Sequence, residues 1–73
     1  MKTRYKHIHF VQDRRRTEEG RAVYYCRNNK TQTGLAEISY YPLWSRWVVC
    51  ANEAAVWDAT RLRDIADFLD QLA

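Results

Sequence analysis

The chain has 73 residues, of which 47% are hydrophobic and 14% aromatic, and carries a formal net charge of +3. This composition excludes a disordered polymer, and the length allows one domain (residues 1–73) that buries only about 60% of its unfolded surface. No apolar run approaches the roughly 20 residues of a bilayer-spanning helix, and the basic start Met1–Lys6 leads into alternation, so neither a membrane anchor nor a signal peptide is expected.

Residues Tyr5 to Gln12 alternate with period two and predict a first strand over 5–12. Lys6, Ile8, Phe10 and Gln12 fall on one side of it; Tyr5, His7, His9 and Val11 fall on the other. The charged run Asp13–Gly20 predicts a hairpin loop that carries Arg14, Arg15 and Arg16. A second strand is predicted over 21–28, with Ala22, Tyr24 and Cys26 opposite Val23, Tyr25 and Arg27. Asn28–Gly34 reads as a turn, because Asn tolerates positive φ and Gly lacks a Cβ. A third strand over 35–41 ends at Pro42, which cannot donate to a ladder. The fourth, over 45–52, contains Trp47-Val48-Val49-Cys50, apolar on both sides, so alternation does not say which side is buried.

The last element is an amphipathic helix over 58–72. Asp58 is suited to cap its N-terminus, and Trp57 and Leu62 are spaced as a hydrophobic staple. Leu62, Ile65, Leu69 and Leu72 form the apolar stripe, widened by Ala66 and Phe68. Burying four such side chains contributes on the order of 6–12 kcal/mol, comparable with the net stability of a small domain, so the sheet is expected to cover this face. Short connections favour antiparallel neighbours. The predicted fold is therefore α+β, a two-layer ββββα domain: a four-stranded antiparallel meander with the C-terminal helix on one face. Its expected core is Ile8, Phe10, Tyr24, Cys26, Ile38, Tyr40, Trp47 and Val49. Cys26 and Cys50 lack CxxC spacing and read as small buried hydrophobes in a reducing, cytoplasmic setting. They stand on non-adjacent strands, about 9–10 Å apart and too far to bridge.

Charge is unevenly placed: residues 1–30 hold nine Lys/Arg against three Asp/Glu, residues 31–73 three against six. The sheet face away from the helix is expected to present Tyr5, His7, His9, Tyr25, Arg27, Tyr41, Trp44 and Arg46, with Arg14, Arg15 and Arg16 extending it. Aromatics interleaved with arginines form a stacking platform for unpaired bases, at about 1–3 kcal/mol per base. The expected function is a small non-enzymatic binding module for single-stranded nucleic acid. The alternative is a protein–protein interaction or homodimerisation module, such as a small regulator or inhibitor, because an apolar sheet face can pair with another copy. Trp44, beside Pro42 and Arg46, is expected at the surface as an interface anchor. His7-x-His9 and the cysteines are metal-ligand types, but no spacing gathers four of them, and no nucleophile elbow or phosphate-cradling loop is present. No cofactor and no catalytic residue is expected. Four strands followed by one helix resemble in outline the PUR repeats and a transcriptional-coactivator domain, both binders of single-stranded nucleic acid; the likeness is one of element order.

Overall fold

The computed structural model describes all 73 residues. Four strands and a helix follow in order: β1 (Ile8–Arg16), β2 (Ala22–Asn28), β3 (Gly34–Tyr41), β4 (Arg46–Ala51) and α1 (Ala59–Leu72). Each strand pairs antiparallel with the next, so the sheet order is β1-β2-β3-β4, the expected meander. β4 is therefore one margin of the sheet and β1 the other.

The helix lies on one face. Phe68 is fully enclosed there with Ile8, Cys26 and Ile38, and Ile65 completes the buried side of α1. Tyr24 meets Phe68 edge-on at 5.2 Å between ring centroids. Leu35, Trp47, Trp57, Leu69 and Leu72 pack around this nucleus, half-buried. Asp58 caps the helix as expected, its Oδ1 accepting from the Arg61 backbone N–H at 2.9 Å. The stripe, however, is centred on Ile65 and Phe68 rather than on the leucines, and Leu62 is 53% exposed. The helix meets the sheet along its middle and its last turn, so the first-turn leucine hangs past the contact.

Four further expectations are corrected. First, β1 begins at Ile8, not Tyr5, and runs on through Arg16, so the three arginines belong to a strand and not to a loop. The chain before it doubles back: the Tyr5 N–H donates to the Ile8 carbonyl and the Phe10 N–H to the Thr3 carbonyl, both at 2.8 Å, and Arg4 bridges His9. Asn29 ties this reversal together. Its N–H donates to the His7 carbonyl at 3.0 Å and its Nδ2 to the Tyr5 carbonyl at 2.9 Å. Period-two parity fails at Tyr5 because a turn intervenes. Second, Tyr5 joins the core, while Val49 is 38% exposed. Tyr40, also half-buried, packs edge-on against Trp47. Third, Cys50 is exposed, while Cys26 is buried and both thiols are free. Cys26 pairs with Ala36 and Cys50 with Glu37. Successive β3 residues point to opposite faces, so the two cysteines also lie on opposite sides of the sheet. Fourth, in the β2–β3 turn the positive φ falls on Gln32, at 62°. Asn28 acts instead through its side chain, whose Oδ1 accepts from the Lys30 and Thr31 N–H groups.

Two bulges shape the ladder. Between Gln12 and Arg16, β1 holds three residues where β2 holds only Val23. Between Cys26 and Arg27, β3 holds the extra residue Leu35. Bulges twist a strand and re-aim its side chains. The pairing of β3 with β4, by contrast, runs unbroken over six pairs from Ala36–Ala51 to Tyr41–Arg46.

Candidate functional site

The face away from the helix carries His9, Val11, Val23, Tyr25, Arg27, Glu37, Ser39, Tyr41, Val48 and Cys50, as register and alternation dictate. Its centre is a closed polar knot. The β1 bulge brings Arg15 over Tyr25, with the guanidinium carbon 5.8 Å from the ring centroid. Arg15 Nε donates to Asp13 Oδ2 at 2.6 Å, and its Nη2 donates to the Tyr25 hydroxyl and to Glu37 Oε1. That hydrogen bond from Arg15 holds the Asp13 carboxyl down at about 2. Arg15 is thus matched by two carboxylates, and Tyr25 is half-buried beneath it.

Of the other residues expected on this platform, Tyr5 is on the helix side. Its hydroxyl donates to Asp67 Oδ2 at 2.6 Å and accepts from Gln71 Nε2 at 2.9 Å. Burial, with the Asp67 carboxylate beside it, pushes its pKa up to about 12. His9 is buried and its Nδ1 lies 2.8 Å from Asn29 Oδ1. His7 lies outside the strand, half-buried, and lines a polar depression with Lys6, Asn28, Asn29, Lys30 and Arg61 at the N-terminal end of α1. Arg27 is half-buried opposite His9. Arg14 and Arg16 are exposed, and Arg16 Nη1 donates to the Gly20 carbonyl at 3.3 Å. The structure therefore does not gather the expected residues on one platform. No three His, Cys, Asp or Glu side chains converge as metal ligands would.

What it does gather is an apolar corner at β4. Tyr41 and Trp44 pack edge-on across the β3–β4 turn, centroids 5.2 Å apart. Trp44 is 69% exposed and Leu43 82%. Tyr41, Trp44, Val48, Val49 and Cys50 line one shallow depression along the margin. Arg46 stands opposite Tyr41 at the end of the ladder. The turn is built for this display. Pro42 ends β3, Ser45 takes a φ of 51°, and the Trp44 N–H donates to the Tyr41 carbonyl at 3.2 Å, which leaves Leu43 and Trp44 at the tip. Sequence reasoning named Tyr41, Trp44 and Arg46 but missed Leu43, Val48, Val49 and Cys50. For Val48, Val49 and Cys50 the signal was the apolar run on both sides of a strand that, last in a meander, must be a margin.

Comparison with protein families, curated proteins and solved structures finds no match to this chain. α1 is neither long nor apolar enough to cross a membrane.

Proposed function

We propose that this chain is a small non-enzymatic protein-binding module that engages its partner through the β4 margin and the β3–β4 turn. The observation that carries the reading is one depression lined by Tyr41, Trp44, Val48, Val49 and Cys50 on a strand with no neighbour on its far side, with exposed Leu43 in the adjoining turn. Exposed aromatics in a partly formed pocket are the typical anchors of protein interfaces, and a bare strand edge supplies main-chain hydrogen bonds to an added strand. The test is a photo-cross-linking residue at Leu43, with one at Arg63 on the exposed side of α1 as control. The expected result is a discrete protein adduct from position 43 and none from position 63, lost on Val49→Lys. No adduct from position 43 sinks the reading.

A second reading, single-stranded nucleic acid, is supported by the Tyr41–Trp44 pair with Arg46 alongside, two rings open to stacking next to a guanidinium. Nuclease-sensitive adducts at Leu43, and oligonucleotide binding that weakens with salt and is lost on Trp44→Ala, would favour it.

A further inference from the structure

We infer that the partner at β4 is a second copy of this chain, docked edge to edge about a two-fold axis through Val49, which joins two four-stranded sheets into one of eight. The inference rests on the protein-binding reading of β4 and names its occupant.

The two margins of the sheet differ. Natural sheets guard their edges with charged side chains, bulges or covering segments. β1 has all three: Arg14, Arg15 and Arg16, the bulge between Gln12 and Arg16, and the Thr3–Tyr5 segment folded against His9 and Phe10. β4 has none. From Trp47 to Ala51 it carries no charge and no proline, and its pairing with β3 is unbroken.

Strand register selects the position of the axis. The Asn52 N–H donates to the Leu35 carbonyl at 2.9 Å, so position 52 turns its backbone groups toward β3. In an antiparallel ladder this direction alternates residue by residue. Arg46, Val48 and Cys50 therefore also turn toward β3, and Trp47, Val49 and Ala51 turn their N–H and C=O groups to the open side. A dyad at Val49 sets Val49 against Val49 and Trp47 against Ala51 of the second copy. All three outward-facing residues then form hydrogen-bonded pairs. A dyad at Val48 sets Ala51 against the turn residue Ser45, and one at Cys50 sets Trp47 against Glu53 beyond the end of β4, so each loses an in-strand pairing.

Side chains are complementary in that same register. Pairs directly opposite share a face. On the helix side Val49 meets Val49 and Trp47 meets Ala51; on the other side Val48 meets Cys50. Every apolar residue of the margin faces an apolar one. Arg46 comes to face Asn52, next to Glu53 of the second copy, so opposite charges close both ends and no like charges oppose. Continued past the strand, the register carries the turn with Leu43 and Trp44 toward Ala54–Val56 of the other copy. Leu43 and Val56 are the two most exposed large apolar residues, at 82% and 84%.

The test is sedimentation equilibrium of the wild-type chain and two variants. The expected wild-type mass is twice 8.8 kDa at high micromolar protein, and Val49→Lys, at an exposed position, is a monomer. Val49→Cys in a Cys50→Ser background puts two thiols across the axis. Hydrogen-bonded antiparallel pairs have Cα atoms about 5.5 Å apart, within disulfide range, so mild oxidation is expected to give a covalent dimer even if Val49→Lys fails to fold. A monomeric wild-type chain, a dimer insensitive to Val49→Lys, or a dimer that position 49 cannot cross-link overturns the inference. If the wild-type chain is monomeric while Leu43 still captures a different protein, the second-copy inference falls and the reading of β4 as a protein-binding margin stands.

Discussion

Phe10 of β1 and Phe68 of α1 lie face to face, with ring centroids 3.9 Å apart and planes within 1° of parallel. This pair is where the two layers meet. Tyr5 and Tyr24 each add an edge-on ring to it, Tyr5 against Phe10 at 5.8 Å and Tyr24 against Phe68. Removing a buried Phe costs about 3–5 kcal/mol, against a net stability of about 4–11 kcal/mol for a chain of this length. Phe68→Ala is therefore expected to lower the urea midpoint by at least about a quarter. An unchanged midpoint would show that the helix does not need the sheet.

Tyr5→Phe keeps the ring and deletes the hydroxyl held between Asp67 and Gln71. The expected cost is about 1.5–3 kcal/mol, the worth of a hydrogen bond to a charged group. The pH dependence gives a sharper readout. In the folded chain the Tyr5 hydroxyl titrates near 12 instead of 10.0. The folded state holds this proton more tightly, so the contribution is complete below pH 10 and is lost as pH rises from 10 toward 12. Denaturant midpoints of the wild type should fall over that window, and those of Tyr5→Phe should fall less. The thiol of Cys26 acts in the same direction from pH 9, so the slope is reduced and not abolished.

The two thiols should differ in reactivity. Burial pushes the Cys26 thiol up to about 12, which removes thiolate, the reactive form, at neutral pH. Cys50 is exposed. A thiol reagent at pH 8 is expected to modify Cys50 fast in the Val49→Lys variant, and Cys26 only after denaturant is added. Two fast equivalents in the native protein would contradict the buried position of Cys26.

Asp58→Ala removes the helix cap and is expected to cost about 0.5–2 kcal/mol, with Asp58→Asn costing less because it keeps the capping oxygen. Acid sensitivity follows from the same carboxylate. The Arg61 backbone N–H, then its guanidinium, hold Asp58 below its ordinary value of 3.8. Its stabilising contribution is present above that value and is lost as pH falls below it. Asp58→Ala should flatten the acid limb of a pH–stability profile, whose remainder includes Asp13, titrating near 2.

The strand-and-helix plan was legible in the sequence because alternation, Pro42 and the Asp58 cap are local signals that agree with one another. The fate of Tyr5 was not. Parity placed it with His9, but the reversal held by Asn29 is a contact across more than 20 residues, invisible to a window of eight. Arg14–Arg16 misled for a related reason: a polar run reads as a loop unless a bulge keeps it in the ladder. The candidate site was half legible. Its neighbours in sequence put Trp44 at the surface, whereas the strand pattern puts Val49 in the core, because strand periodicity reports which face a residue takes and not whether that strand has a neighbour on its far side.

The guarded β1 margin limits the size of any assembly built through β4. Antiparallel addition at β4 uses up the only bare border each subunit has, and the outer borders of the resulting assembly are both the arginine-rich, bulged kind. Assembly by this route terminates at two subunits and cannot propagate into a filament.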